Sequence, residues 1–479
     1  MSMISTLSFR DPDGAVTCFG DRVIRRVAAQ RAFDLRELLQ LRSVQGMISA
    51  RRLINSRELA LREEEDLEPR ARAIFDSFGA GGLLLEHDRV WFPSYPAEWP
   101  AEMLYAAGHL TIDLAEAILE EGYGLKDATP HNVLFRGPNP VFIDILSFDR
   151  RAPADATWLP YAQFMRMFVL PLLLHREFGA KTGELLAVRT HGVEPEEVYA
   201  RCSRAQRLLP RFLGSVTIPT WLAKHCSRQP AKQKANGGQV DQEKARFILA
   251  AHLRGLRRTL QKVEPRSDLG KSIWSSYSST SSYSAAELEQ KLQCVGRWLK
   301  DCNAKTVLDL GCNSGSFSAI AAELGAQVVA VDADPVVVGR LWRQASREKL
   351  DILPLVVNIA SPTPRTGWRN SECPSFLDRA TGRFDTVMML ALIHHLLITE
   401  RIPLAELFDL AADLTTENLI IEYIDPADPL FQALLRGRDA LHATFGTELF
   451  ETTCQKRFTI LQKQPVKGSL RTLYLLQKK

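Results

Sequence analysis

Asp309, Gly311, Gly315 and Asp332 are the residues whose types and spacing promise chemistry. They lie in the run TVLDLGCNSGSFS, residues 306–318, and in the following run VVAVDADP, residues 328–335. The first run reads as an apolar strand that ends near Asp309, a turn carrying Gly311 and Gly315, and the start of a helix. Glycines at such a turn let a ligand lie against the backbone, where a Cβ would intrude. The helix start offers free N–H groups at the same place. A second strand ends in Asp332, 17 residues after Gly315. A carboxylate there can accept hydrogen bonds from both hydroxyls of a ribose. The dinucleotide pattern G-x-G-x-x-G is not met, because the two glycines are four apart. Asp309 would repel a pyrophosphate and suits a nucleoside with a cationic end.

The pairing of these two runs resembles the class I methyltransferases, whose first motif is commonly D-x-G-x-G-x-G. Here Asn313 stands for the middle glycine. Asn tolerates left-handed backbone better than other residues with side chains, so the turn can survive. The resemblance implies S-adenosylmethionine as cofactor, bound by Asp309, Gly311, Asn313, Gly315 and Asp332. It continues through LPLVVNIA (353–360), where Asn358 fills a polar role near the adenine, through FDTVMMLALIHHL (384–396), and through NLIIEYID (418–425). It also implies that the segment before the first strand closes over the cofactor. Trp274, Tyr277 and Tyr283 lie in that serine-rich segment, and their rings can reach a sulfonium by cation–π attraction. Tyr277 and Tyr283 therefore join the candidate cofactor contacts.

Methyl transfer to a hydroxyl or a protonated amine requires loss of a proton. His394 and His395 follow the fourth apolar strand on the expected ligand edge, and imidazole titrates near neutral pH. Glu422, at the end of the fifth strand, is a further acid/base or acceptor-positioning candidate. Each has a plainer reading: a local hydrogen bond for the histidines, an ion pair for Glu422.

These residues need elements to hold them. Helices are expected over 285–299, 316–324 and 335–348, and strands over 305–310, 327–331, 353–357, 384–392 and 418–423. Strands alternating with helices at this spacing imply a Rossmann-like, doubly wound, mostly parallel sheet with its ligand edge at the strand C-termini. This domain is placed at 266–479.

The N-terminal half carries GLKDATPHNVLF (124–135) and PVFIDILSF (140–148). Asp127 precedes Asn132 by five, and Asp144 follows on an apolar strand. This resembles the catalytic loop and metal-binding Asp of protein-kinase-like and aminoglycoside-phosphotransferase-like folds. The resemblance implies an α+β kinase-like domain before the methyltransferase: an atypical N-lobe-like region at 1–100 and a helical C-lobe-like region at 101–265. A magnesium nucleotide would be its ligand. No lysine occurs before Lys126, and Asp144 is not followed by Phe-Gly. A scaffold that has lost or altered phosphotransfer is therefore the preferred reading of this half. The two resemblances together look like a bacterial group related to nodulation-associated methyltransferases, over 94–479. They suggest a small polar molecule or glycan as acceptor. The alternatives are a bifunctional methyltransferase and atypical kinase, and a non-catalytic scaffold.

Composition sets the outer bounds. The chain has 479 residues, enough for two or three domains, and 46% are hydrophobic. A net charge of +4 is small for this size, so nucleic acid is not expected as a partner. No apolar run approaches a membrane span, and no membrane partner is expected. Eight scattered cysteines without CxxC spacing suggest neither disulfides nor a metal site. The expectation is a reduced, cytoplasmic enzyme with room for a protein partner on its N-terminal half.

Overall fold

A computed structural model describes residues 11–60, 82–226, 241–266, 285–435 and 445–479. The chain opens with an antiparallel sheet of β1 (Gly14–Phe19), β2 (Arg22–Val27), β3 (Ser56–Glu58) and β4 (Leu83–His87), in the order β1-β2-β4-β3. The helix Ala29–Gln40 follows β2, burying Ala32, Leu35 and Leu38 along one stripe. The helix Ala101–Leu119 comes next and is buried on most sides. Two small hairpin-like pairs then carry the conspicuous polar residues. β5 (Tyr123–Leu125) pairs with β8 (Phe148–Arg150), and β6 (Val133–Arg136) pairs with β7 (Asn139–Phe142). Helices dominate from Tyr161 to Cys226, and a further helix spans Gln242–Gln261.

The C-terminal half is built on seven strands: β9 (Thr306–Leu310), β10 (Gln327–Asp332), β11 (Ile352–Val356), β12 (Phe384–Met389), β13 (Thr415–Ile424), β14 (Phe458–Pro465) and β15 (Arg471–Lys478). Their order is β11-β10-β9-β12-β13-β15-β14. The first five are parallel, and β15 and β14 complete the sheet antiparallel. The near-continuous apolar runs of the parallel strands follow from burial on both faces. Along β10, Val328 and Ala330 pack into one core, while Val329 and Val331 pack into the other. The strand order reverses between β9 and β12, so a ligand crevice is expected at the C-terminal ends of these two strands. The sequence reading foresaw the five parallel strands and omitted β14 and β15. It also carried β12 as far as Leu392, whereas the strand ends at Met389.

The apolar core does not stop between the halves. One continuous cluster runs from Val27 through Trp99 and Phe168 to Phe384 and Leu476. At the seam, Phe92 packs on Phe376 and Phe384, with ring centroids 6.0 and 5.8 Å away. Trp91 meets Phe384 edge-on at 5.6 Å. Arg379 crosses the seam to Glu98 in an ion pair with almost no exposure. It also donates to the Pro93 carbonyl at 2.6 Å and lies over the rings of Phe92 and Tyr95. Further along, Arg343 pairs with Glu102 at 2.7 Å, and Trp342 Nε1 donates to the Pro138 carbonyl at 3.0 Å.

Removing one member of a buried pair strands the other charge without solvent, at a cost of about 3–5 kcal/mol. Arg379→Ala is therefore expected to lower stability by about that amount in urea unfolding. Adding Glu98→Leu should recover part of the loss. A single variant as stable as the parent would contradict the account of the seam.

Candidate active site

The turn after β9 has three residues in left-handed backbone: Gly311 (φ 74), Asn313 (φ 47) and Gly315 (φ 78). Asn313 thus holds the conformation that glycine would hold in the pattern. The turn is tied to β10 by the Gly311 and Cys312 N–H groups, which both donate to the Val331 carbonyl, at 2.9 and 3.0 Å. It then runs into the helix Ser316–Glu323, with Gly315 as the residue before the first turn. The two glycines serve different ends. A Cβ on Gly311 would press on Leu392, 3.2 Å away. A Cβ on Gly315 would fall 2.3 Å from Leu341. The sequence reading gave both glycines to ligand approach. At Gly315 the near atoms are the movable methyls of Leu341, so it is the left-handed φ that calls for glycine there.

Two carboxylates flank the turn. Asp309 is 2% exposed, and its Oδ2 accepts from Ser318 Oγ at 2.6 Å. Among the described residues it has no cationic partner. Burial pushes its proton affinity up, to a pKa of about 6, and the nearby Asp332 adds to the rise. Asp332 ends β10. Its oxygens accept the Asn313 N–H at 3.0 Å and the Asp334 N–H at 2.9 Å. The Ala333 N–H also helps hold the carboxylate, and a carboxylate's four lone pairs leave room for a further donor. Burial is also the largest cause of the raised pKa of Asp332. Two desolvated carboxylates beside a left-handed turn and a helix start fit a nucleoside whose far end is cationic. Asn358, beyond β11, is exposed and uses its Oδ1 to accept the Ala360 N–H at 3.0 Å.

The third side of the crevice is the loop after β12. Ala391 sits in left-handed backbone at φ 51, an uncommon place for a residue with a Cβ. Its N–H donates to Glu422 Oε2 at 2.8 Å. Glu422 has no exposure and also receives Lys291 Nζ at 2.7 Å, with Arg471 Nη1 at 3.7 Å. Arg471 in turn holds Asp428 at 2.9 Å. Lys291 comes from the helix Ala285–Asp301 and Arg471 from β15, so three separate elements converge on one carboxylate. The loop they fix delivers His394 and His395, whose rings lie 4.1 Å apart. His394 is fully buried, and neither ring nitrogen has a hydrogen-bond partner among the described residues. Burial, then the neighbouring His395, Arg471 and Lys291, push its pKa well below the ordinary imidazole value. His395 is half-buried and pushed down to about 4, chiefly by burial. Both rings are neutral at neutral pH.

Trp274, Tyr277 and Tyr283 lie outside the described residues. Sequence reading missed the Lys291–Glu422–Arg471–Asp428 network as a unit. Lys291 and Glu422 are 131 positions apart, and no local pattern marks them as partners.

The loop of the N-terminal half is assembled differently. Asn132 Nδ2 donates to Ser147 Oγ at 2.9 Å, and Ser147 donates to Asp144 Oδ2 at 2.6 Å. Asp144 Oδ1 meets Arg25 Nη1 at 2.9 Å, with Arg25 nearly buried. Asp127 is half-buried, and its pKa is raised first by burial and then by Asp144. Among the described residues, no cluster of three or more His, Cys, Asp or Glu could hold a metal.

Residues 277–452 match the sequence profile of a family described as a methyltransferase domain. This part of the chain is an S-adenosylmethionine-dependent methyltransferase. The whole chain is 28% identical over 475 residues to the nodulation protein NoeA of Rhizobium meliloti strain 1021, covering 98% of this chain and 95% of that one. Its fold is similar to magnesium protoporphyrin IX methyltransferase of Synechocystis PCC 6803, at 19% identity and TM-score 0.30, over 40% of this chain and 84% of that one. It is also similar to the N-methyltransferase NodS of Bradyrhizobium japonicum WM9, at 14% identity and TM-score 0.30, over 40% and 97%.

The buried acid gives a pH-dependent stability. A carboxyl whose folded pKa is about 6 against an ordinary 3.8 resists ionisation in the folded state. Its contribution is intact below the unfolded pKa and is lost as pH rises through the folded one, at about 1.4 kcal/mol per pKa unit. Asp309→Asn keeps an acceptor for Ser318. It is expected to raise the melting temperature of the cofactor-free methyltransferase at pH 8, and much less at pH 4. Equal effects at both pH values would show that Asp309 is not held in a desolvated state.

Proposed function

We propose that this enzyme transfers a methyl group from S-adenosylmethionine to a hydroxyl or amine of a small polar molecule or glycan, with His394 and His395 handling the acceptor's proton. His394 is the observation that carries this reading. It is a neutral imidazole sealed from solvent at the ligand edge of the sheet, with neither nitrogen partnered among the described residues. An unpaired buried polar group is costly, and an acceptor O–H or N–H donating to it would relieve that cost. The cofactor supplies an electrophilic methyl on a sulfonium, which leaves alignment and proton removal to the protein.

On this reading Asp332 accepts the ribose hydroxyls, Asp309 stabilises the cationic end through the turn, and Gly311, Asn313 and Gly315 shape the backbone that receives it. Asn358 lies at the adenine side. Glu422 is a positioning residue: its carboxylate is already engaged by Lys291 and the Ala391 N–H, so it fixes the histidine loop. A relative named as a nodulation protein is matched over nearly the whole chain, which supports reading both halves as parts of one enzyme.

For the N-terminal half the proposal is an accessory kinase-like scaffold without phosphotransfer. Arg25 supports it. The carboxylate of Asp144, which would hold a metal in an active relative, already holds a guanidinium. Magnesium-dependent ATP hydrolysis above background is expected to be absent. Hydrolysis abolished by Asp144→Ala would instead establish the bifunctional alternative.

The methyl-transfer reading is tested by calorimetry and by turnover. S-adenosylmethionine should bind in the micromolar range, about −7 to −8 kcal/mol, and Asp332→Ala should weaken it at least about tenfold. Substituting both His394 and His395 by Ala should lower turnover on a cognate acceptor by about a hundredfold while leaving cofactor affinity in place. Full turnover in that variant would remove the histidines from the mechanism. Absence of cofactor binding in the parent would remove the assignment itself.

A further inference from the structure

The helical run from Pro210 to Cys226 sits far from the methyl-transfer crevice in sequence and is not used by it. It is α-helical at Pro210–Phe212 and Ile218–Cys226 with a π-helical turn at Leu213–Thr217 between them, and burial divides its side chains into two faces. Phe212, Ser215, Val216 and Thr220 fill the inward face and are buried. The outward face carries Leu213, Ile218, Trp221 and Leu222, which are 39%, 47%, 57% and 44% exposed. Leu208, in the short turn just before, is 73% exposed. A solvated helix face should instead be polar, and single exposed leucines are ordinary where a run of them is not.

The charges around this face all have one sign. From Val198 to Cys226 there is no Asp or Glu. The same stretch holds Arg201, Arg204, Arg207, Arg211 and Lys224. Arg211 is paired with Glu177. Arg207 and Lys224 lie over the Tyr199 ring at 3.9 and 5.5 Å, and Arg201 and Arg204 are exposed. The preceding helix Pro195–Arg201 carries Glu196 and Glu197 in its first turn, with Glu194 at its cap; Glu194 pairs with Arg166 and Glu197 with Arg189.

We infer that this face seats the protein on an anionic membrane surface, with Leu208, Leu213, Ile218, Trp221 and Leu222 entering the headgroup boundary and Arg201, Arg204 and Lys224 meeting lipid phosphates. Apolar burial plus attraction to anionic lipid is the physical basis of interfacial binding, and it needs no spanning segment. Among the described residues no helix is long and apolar enough to cross a membrane. A helix lying on a membrane surface needs no such span, so the sequence-based expectation of no membrane partner does not extend to this face. A second copy of the chain fits less well. A symmetric pair would bring the same patch against itself and oppose like charges. A binary surface of aromatic, aliphatic and cationic groups matches anionic lipid in both respects.

The test is sedimentation of the full chain with vesicles of phosphatidylcholine alone and of phosphatidylcholine with added phosphatidylglycerol. Binding is expected with the anionic vesicles, weakened by salt, and small with neutral ones. Trp221→Glu with Leu222→Glu should cut the partition at least about tenfold. Both side chains are exposed, so the thermal melt should not move. Arg201→Glu with Arg204→Glu is the second variant, expected to reduce binding to anionic vesicles alone. No pelleting with anionic vesicles overturns the proposal, as does pelleting that neither variant changes. A dimer in light scattering that Trp221→Glu dissociates, without vesicle binding, also overturns it and assigns the face to self-association.

Discussion

The carboxylate of Glu422 is the constraint on which the active half depends. It has no contact with solvent, so its charge must be answered inside the protein. Lys291 answers it from the first helix of the domain, Arg471 from the last strand, and the Ala391 N–H from the loop after β12. One buried charge thereby fixes the closing strand, the opening helix and the loop that carries the two histidines. The price is a left-handed alanine, a conformation that persists only where its surroundings over-determine it. A well-formed loop at the ligand edge is the return. Burial of the same kind keeps His394 neutral, with His395, Arg471 and Lys291 adding to the effect.

The other half of the crevice follows a different logic. Asp309 and Asp332 are desolvated without a cation beside them among the described residues, and the protein carries that strain in its cofactor-free state. The site is poised for a positive ligand in the same sense that His394 is poised for a donor. Binding partners of opposite character are thus invited to opposite sides of one crevice.

Much of this was legible in the residues. The five parallel strands announce themselves as apolar runs because both faces are buried, and Asp309, Asn313 and Asp332 sit where the turn needs them. The failures have physical causes. β14 is an edge strand with mostly exposed residues, so its pattern is weak. β15 is marked by TLYLL, yet its antiparallel pairing is set by contacts with β13 that no local signal encodes. β12 stops at Met389 because Glu422 captures the Ala391 N–H, a tertiary bond that overrides an apolar run. The Arg25–Asp144 pair joins residues 119 positions apart and could not be foreseen from spacing. The Pro210–Cys226 run carries no motif, and its composition does not say which of its residues face inward.

The seam between the halves has a consequence for how such a chain can change over time. Phe92, Trp91 and Glu98 belong to the N-terminal half, yet they complete the packing of Phe376, Phe384 and Arg379. A chain that lost its first half would leave a guanidinium buried without its counter-ion and an aromatic wall facing water. The N-terminal half can therefore shed every catalytic duty and still be retained, because what is inherited with it is the inside of its neighbour. A fold that looks like two modules on a linear map is, at this seam, one heritable object.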